Sequence, residues 1–313
     1  MIKFKKKMLF LAPLAGISDR SFREMYTKVV DYKYSEMISA KGLFYLNEKT
    51  LSYLNETKNE KNLIMQIFGD DLESLIFASK YIEKHTKAVC IDINMGCPVP
   101  KVYKTNGGSA LLNSPERIEE IVKTLKENVK IPISVKLRSG INREHVNIIE
   151  TAKACERGGA SFITVHGRTR SEGFKGNVNL DDIKLAKENV NIPVIGNGDI
   201  KTLEDSVKMF SHTGCDAVMV GRSAISNPGL LYEISDYLKG KKASANFSQE
   251  AFVYKHLKEI KKRYQNKYGL IQAKKVLVNG SKRFPNYKKF RNLIYPSKTI
   301  DEVIKIYKMM IGD

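Results

Sequence analysis

Cys97 stands between Gly96 and Pro98 in the stretch DINMGCPVPK (92–101), where an apolar run ends. A glycine and a proline flanking a thiol fix its backbone, which is what a positioned reactive group needs. An unperturbed thiol titrates near 8.5, so it is mostly protonated at neutral pH and can act as a general acid. The other cysteines, Cys90, Cys155 and Cys215, fall inside a predicted strand, on a predicted helix and just before a strand, and read as buried packing residues. Four cysteines so far apart, with no C-x-x-C pair, offer no metal-ligand cluster, so no metal is expected. Their sparseness suits a reducing, cytoplasmic setting.

Further polar or small residues close other apolar runs in the same way. Pro13 to Ala15, Glu36, Gln66, Asn94, Lys136, His166, Asn197 and Gly221-Arg222 each end one of eight such runs. The runs cover 8–16, 34–39, 63–69, 89–96, 131–140, 161–169, 192–200 and 216–223. Their β-branched, apolar character predicts strands buried on both faces. A lysine among them, Lys136, would be costly without an anionic partner, which marks it as a site residue.

The segments between the runs predict helices. In 114–129, Ser114 is placed as N-cap and Pro115 in the first turn, with Ile118, Ile121, Val122 and Leu125 on one face. EHVNIIETAKACERGGA is predicted as another helix, stopped by Gly158-Gly159. Eight strand–helix units predict a TIM (β/α)8 barrel, whose strand C-termini gather on one catalytic rim. A doubly wound open sheet is the alternative, weakened because no G-x-G-x-x-G follows the first strand.

The rhythm stops near residue 239. Residues 241–313 hold 18 Lys+Arg against 5 Asp+Glu, a net of +13 out of +19 for the chain. Three helical stretches are predicted there, near 249–267, 270–283 and 299–311. The division is therefore a catalytic barrel over 1–238 and a small basic helical domain over 239–313, whose charge favours a polyanionic partner, nucleic acid or an anionic membrane. In SKRFPNYKKFRNLIYP (281–296), Phe284, Tyr287 and Phe290 read as that domain's core. The lysine-rich N-terminus imitates a secretory signal, but Pro13 interrupts its apolar run. No run of about 18 apolar residues exists, so no membrane span is expected.

Taken in order, APLAGISDRSFR (12–23), QIFGDD (66–71), DINMGCPVPK, GSALL (108–112), VKLRSG (135–140), VHGRTR (165–170), GNGDI (196–200) and AVMVGRSAISNP (217–228) resemble the tRNA-dihydrouridine synthases, with the bacterial B-type group nearest. The resemblance implies an FMN-binding TIM barrel followed by a helical RNA-binding domain. It also implies reduction of the C5–C6 double bond of uridine in RNA, with NADPH (or NADH) reducing FMN, hydride passing to C6 and Cys97 protonating C5. Carried onto matching positions, Pro13, Leu14 and Ala15 line the flavin ring and Gln66 bonds its edge. Met37 offers a backbone contact, Asn94 orients substrate or flavin, Lys136 faces the ring's anionic side and His166 touches the cofactor. Asn197, Gly198, Asp199, Gly221 and Arg222 hold the phosphate, as expected after the seventh and eighth barrel strands. Lys101, Arg168 and Arg170 are placed on the rim as contacts to substrate RNA, with Lys104 in a similar place.

Two departures matter. The stretch after HGRTR is SEGFKGNVNL, with Leu180 near the family's usual Trp, and the chain has no Trp. The family's usual R-K-H element is replaced by AKKVLVNGSKRF (273–284), so RNA contacts in that domain are not carried over individually. The substrate therefore stays open between tRNA and ribosomal RNA. A small-molecule FMN oxidoreductase resembling dihydroorotate dehydrogenases, and an RNA-binding protein with a scaffold barrel, are the competing readings. The +13 tail opposes the first, and an intact Cys97, Lys136 and phosphate loop oppose the second.

Overall fold

The computed structural model describes the chain except residues 1, 3, 6, 58, 242–246, 283, 285–286 and 313, and the side chains of 55–56. Parallel strands β1 (Met8–Leu11), β2 (Tyr32–Tyr34), β3 (Ile38–Ser39), β4 (Leu63–Phe68), β5 (Cys90–Met95) and β6 (Ile133–Arg138) are joined by β9 (Ile163–His166), β10 (Val194–Asn197) and β11 (Ala217–Val220). Because β2 pairs with both β1 and β4, the sheet closes on itself as an eight-stranded barrel, β3 being a short continuation of the second strand. Helices fill the intervals, as the TIM-barrel expectation requires. A small antiparallel hairpin, β7 (Gly140–Asn142) and β8 (His145–Val146), stands outside the barrel.

Period-two alternation sorts the side chains. Leu9, Leu11, Met65, Ile67, Ile91 and Ile93 point outward into the core beneath the helices. Their neighbours Met8, Phe10, Tyr34, Ile64, Cys90, Ile195 and Met219 form a second apolar cluster inside the barrel. Continuing up the same inward parity, β4 next offers Gln66, β5 offers Asp92 and Asn94, and β6 offers Ser134, Lys136 and Arg138. In turn, β9 offers Thr164 and His166, and β10 offers Asn197. The barrel is therefore apolar at its base and polar at the strand C-termini.

The local signals that set the helices act as expected. Asp19 caps Arg20–Met25 through the Phe22 N–H, and Ser114 caps Pro115–Asn128 through the Arg117 N–H. Ile118, Ile121, Val122 and Leu125 are all buried. Three expectations need correction. The second predicted strand is two pieces, because Glu36 and Met37 leave the ladder between β2 and β3. The predicted helix beginning EHV starts later, at Ile148, because Gly140 lets the chain fold back and pair with His145–Val146. Gly140 has φ +158°, and a Cβ there would come within 2.2 Å of the His145 carbonyl oxygen.

Among its described residues the basic C-terminal stretch forms four helices, not three: Gln249–Arg263, Lys267–Gly280, Tyr287–Ile294 and Ile300–Ile311. The additional one, Tyr287–Ile294, buries only Phe290 and Ile294, a pattern masked in sequence by its many cations. These helices share their own core, with Val253, Leu257, Leu277, Phe290, Val303 and Tyr307 at its centre. Phe284 and Tyr287 pack against it, so these aromatics are core residues here. Residues 242–246, just past the point where the strand–helix rhythm stops, lie outside the described residues.

Candidate active site

Strand pairing assembles the site at one end of the barrel. Gln66 lies opposite Asp92, Asn94 opposite Lys136, Arg138 opposite His166, and His166 opposite Asn197. Residues spread over more than 130 positions of sequence thus become neighbours at the C-terminal mouth of the barrel.

The thiol is held by its backbone. The N–H groups of Cys97 and Gly96 donate to Asn94 Oδ1 at 2.8 and 3.1 Å. Ser109 Oγ donates to the Cys97 carbonyl at 2.8 Å, and the Ser109 N–H to the same oxygen at 3.2 Å. Arg138 Nε donates to the Gly96 carbonyl at 2.8 Å. Gly108, at φ +59°, passes so close that a Cβ there would lie 3.1 Å from the Cys97 oxygen and 2.9 Å from Val102. Cys97 is 9% exposed. Burial pushes its thiol above the ordinary thiol range, opposed by the Val99 backbone and by the charge of Arg138. At neutral pH it is a protonated acid at a fixed position. Cys90, Cys155 and Cys215 are buried free thiols, as expected of packing residues.

A chain of hydrogen bonds runs down from this loop. Asn94 Nδ2 donates to Gln66 Oε1 at 2.9 Å, and Gln66 Nε2 donates to Asp92 Oδ2 at 2.8 Å. Ser134 Oγ donates to Asp92 Oδ1 at 2.7 Å. A carboxylate only accepts and a backbone N–H only donates, so the orientation of both amides is fixed from both ends. Asp92 is fully buried, and burial pushes it up to about 6.

The mouth is rich in cations. Lys136 Nζ donates to Asn197 Oδ1 at 3.0 Å, and Asn197 Nδ2 donates to the Met219 carbonyl at 2.8 Å. No carboxylate forms an ion pair with Lys136 among the described residues. Burial and the charge of Arg138 pull it down to about 8, against the attraction of Asp92. His166 is held well below its ordinary value by burial and by Lys136, Arg138, Arg168 and Arg222, so its ring is neutral at pH 7. Arg168 reaches His166 Nε2 at 3.4 Å and can only donate, which leaves the ring proton on Nδ1.

The residues expected to hold a phosphate lie together at the ends of β10 and β11. Gly198 has φ +125°, and a Cβ there would meet Val178 at 2.6 Å. Arg222 is exposed, lies 4.6 Å from the Phe174 ring centroid and reaches Asp199 Oδ1 at 3.2 Å. Pro13, Leu14 and Met37 are part-buried at the mouth, and Ala15 is exposed. Lys101 and Lys104 are exposed just after Cys97. Arg170 lies 3.7 Å above the Tyr103 ring, with Nε buried and without a hydrogen-bond partner among the described residues.

Arg168 departs from its expected place. It is 1% exposed, ion-paired with Asp199, and donates to the carbonyls of Lys175 at 3.0 Å and Gly176 at 2.5 Å. The basic HGRTR string suggested a rim cation, but inward parity in β9 and the folded-back 170–176 loop enclose it. Conversely, Arg138, Ser109 and Asp92 hold the cysteine loop and its supporting amides. Their motifs were visible in the sequence, but their roles were not, because each acts through backbone groups or amides brought close only by folding.

A closed parallel barrel carrying a clamped thiol and a cation-lined mouth at its strand C-termini has the architecture in which barrel enzymes build their active sites. The chain belongs to the dihydrouridine synthase (Dus) family, whose model matches residues 10–308. It is 32% identical to a probable tRNA-dihydrouridine synthase of Aquifex aeolicus, over 97% of this chain and 96% of that protein. It is 38% identical to tRNA-dihydrouridine synthase B of Pasteurella multocida, over 72% and 68% of the two chains. It is 35% identical to a probable tRNA-dihydrouridine synthase 1 of Synechocystis, over 93% and 82%.

Proposed function

We propose that this protein reduces the C5–C6 double bond of uridines in tRNA to 5,6-dihydrouridine, with FMN as cofactor and NADPH as reductant. Family membership supports the reaction, and the names of the relatives support tRNA as substrate. The observation that carries the mechanism is the protonated Cys97 thiol, its backbone clamped by Asn94, Ser109 and Arg138, at the same barrel mouth as Lys136, which forms no ion pair among the described residues.

The residues fit FMN. Lys136 stands part-buried with an amide oxygen as its only partner among the described residues, a position that suits the side of a flavin ring where negative charge gathers. Gln66 and Asn94 have fixed amide faces for the ring edge, and Pro13, Leu14, Ala15 and Met37 supply an apolar and backbone lining. Asn197, Gly198, Asp199, Gly221 and Arg222 would hold the phosphate, Arg222 by its exposed fork. Bound and reduced by NADPH, FMN would supply the hydride for C6 of uracil. Cys97 holds the proton that goes to C5. Asn94 keeps the Cys97 backbone fixed and orients the base, while neutral His166 contacts the cofactor without adding charge. Uridine in folded RNA has to be splayed out to enter the mouth. Lys101 and Arg170 would meet the RNA beside Cys97, and the basic region 239–313 would bind the body of the tRNA.

The test is dihydrouridine mapping by mass spectrometry in tRNA and ribosomal RNA, with the wild-type protein and with Cys97→Ala. Cys97→Ala keeps bound yellow flavin and RNA affinity and loses reduction by about 10²–10⁴-fold, the range for a general acid. Full activity of that variant refutes the proton-donor role, and modification confined to ribosomal RNA refutes tRNA as substrate.

A further inference from the structure

Resting on the reading that residues 13–15 line the flavin, we propose that the C-terminal helices complete the cofactor site, with Lys275 and Gln272 acting with Glu36 as positioning residues that pin Gly16. The loop from β1 to the first helix is gripped from both sides. Glu36 Oε2 accepts the Gly16 N–H at 2.5 Å. Lys275 Nζ donates to the Gly16 carbonyl at 2.8 Å, and Gln272 Nε2 donates to the same oxygen at 3.3 Å. A carboxylate on the N–H and an ammonium on the C=O each complement the dipole they meet, so both bonds are charge-assisted.

Three further observations support a built contact. Glu36 is 8% exposed and its other oxygen, Oε1, is buried without a partner, so the Gly16 N–H is the carboxylate's one hydrogen bond among the described residues. Gly16 has φ +72°, and a Cβ there would lie only 3.3 Å from Lys275 Nζ, so glycine suits both the turn and the approach of the ammonium. The same helices also hold the N-cap and first turn of the helix that follows the loop. Tyr268 OH donates to Asp19 Oδ2 at 3.2 Å, and His256 Nε2 lies 3.3 Å from Ser21 Oγ. Lys275, Gln272 and Tyr268 sit on Lys267–Gly280, and His256 on Gln249–Arg263. A shift of these helices on binding RNA therefore moves the Pro13–Ala15 backbone directly.

Full-length Lys275→Met separates this role from simple packing, with Lys274→Met as control. Lys274 lies on the same helix, but its Nζ bonds the Tyr295 carbonyl at 2.6 Å. Hydrogen exchange is read on the peptide covering 14–18, where the Ile17 and Ser18 N–H groups donate to the Leu14 carbonyl at 3.0 and 2.8 Å. Lys275→Met raises exchange there by roughly tenfold or more, as loss of a charge-assisted bond implies, and weakens FMN affinity by a similar factor. Lys274→Met changes neither. Glu36→Gln, which keeps the shape, carries the same test from the barrel side if Lys275→Met does not fold. Unchanged exchange in Lys275→Met, or an equal rise in Lys274→Met, overturns the clamp. Faster exchange with unchanged FMN affinity overturns its role in the cofactor site. If the wild-type protein binds no FMN, the flavin reading fails while the exchange result still decides the clamp.

Discussion

Arg168→Met decides between two roles for the HGRTR arginine. A rim contact to RNA would be solvent-facing and nearly free of stability cost. The structure instead buries the guanidinium against Asp199, whose side chain is 13% exposed, and against two backbone carbonyls. Breaking a buried ion pair from one side costs about 3–5 kcal/mol. Asp199 keeps Arg222 at 3.2 Å and the Val178 N–H at 3.3 Å, and retains some access to water. The loss should therefore fall near the lower end, about 3 kcal/mol, or a drop in Tm of about 6 °C at roughly 2 °C per kcal/mol for a chain this long. Burial raises the Asp199 pKa, but the hydrogen bonds and charge of Arg168 outweigh it and hold the group below its ordinary value. Its contribution is thus present above the unfolded carboxyl value and fades as pH falls through the folded one. The difference between wild type and variant should be full at pH 7 and shrink below about pH 4. Differential scanning calorimetry from pH 3.5 to 7.5, beside an RNA-binding titration, is the assay. An unchanged Tm with lost RNA affinity would refute the structural role and restore the rim contact.

Three other outcomes are expected. Iodoacetamide should label Cys97 slowly at pH 7 and faster as pH rises past 9, because burial favours the thiol; peptide mapping showing rapid labelling at pH 7 would contradict a protonated donor. Asp92→Asn should raise stability at pH 7–8 and give little change below about pH 4. The folded Asp92 titrates near 6, above its unfolded value, so its ionisation costs stability as pH rises through that window, and a thermal-melt series across pH reads the sign. Gly108→Ala should cost about 1–2 kcal/mol in backbone strain alone and lower turnover more than substrate affinity, because its Cβ would press on the Cys97 carbonyl; kinetics showing only a KM effect would refute that.

Much of this molecule was legible in the chain itself. Eight apolar runs, each closed by a small or polar residue, determined the barrel, because strands buried on both faces need continuous apolar sequence and a strand–helix repeat closes in few ways. Capping at Ser114 was local chemistry and readable as such. Cys97, Lys136 and Gln66 stood out because a thiol on a constrained corner and polar groups at buried strand ends need a reason. What the sequence could not show was pairing across distance. Whether Arg168 faced RNA or Asp199 depended on how the 170–176 loop folds over the mouth, and no local pattern encodes that. The helix Tyr287–Ile294 was hidden because so short an element draws its stability from the core it joins, not from its own residues. The grip of Lys275 on Gly16 spans more than 250 residues and ends on a backbone carbonyl, which every residue carries and no motif marks. Tertiary structure alone decided which carbonyl that was.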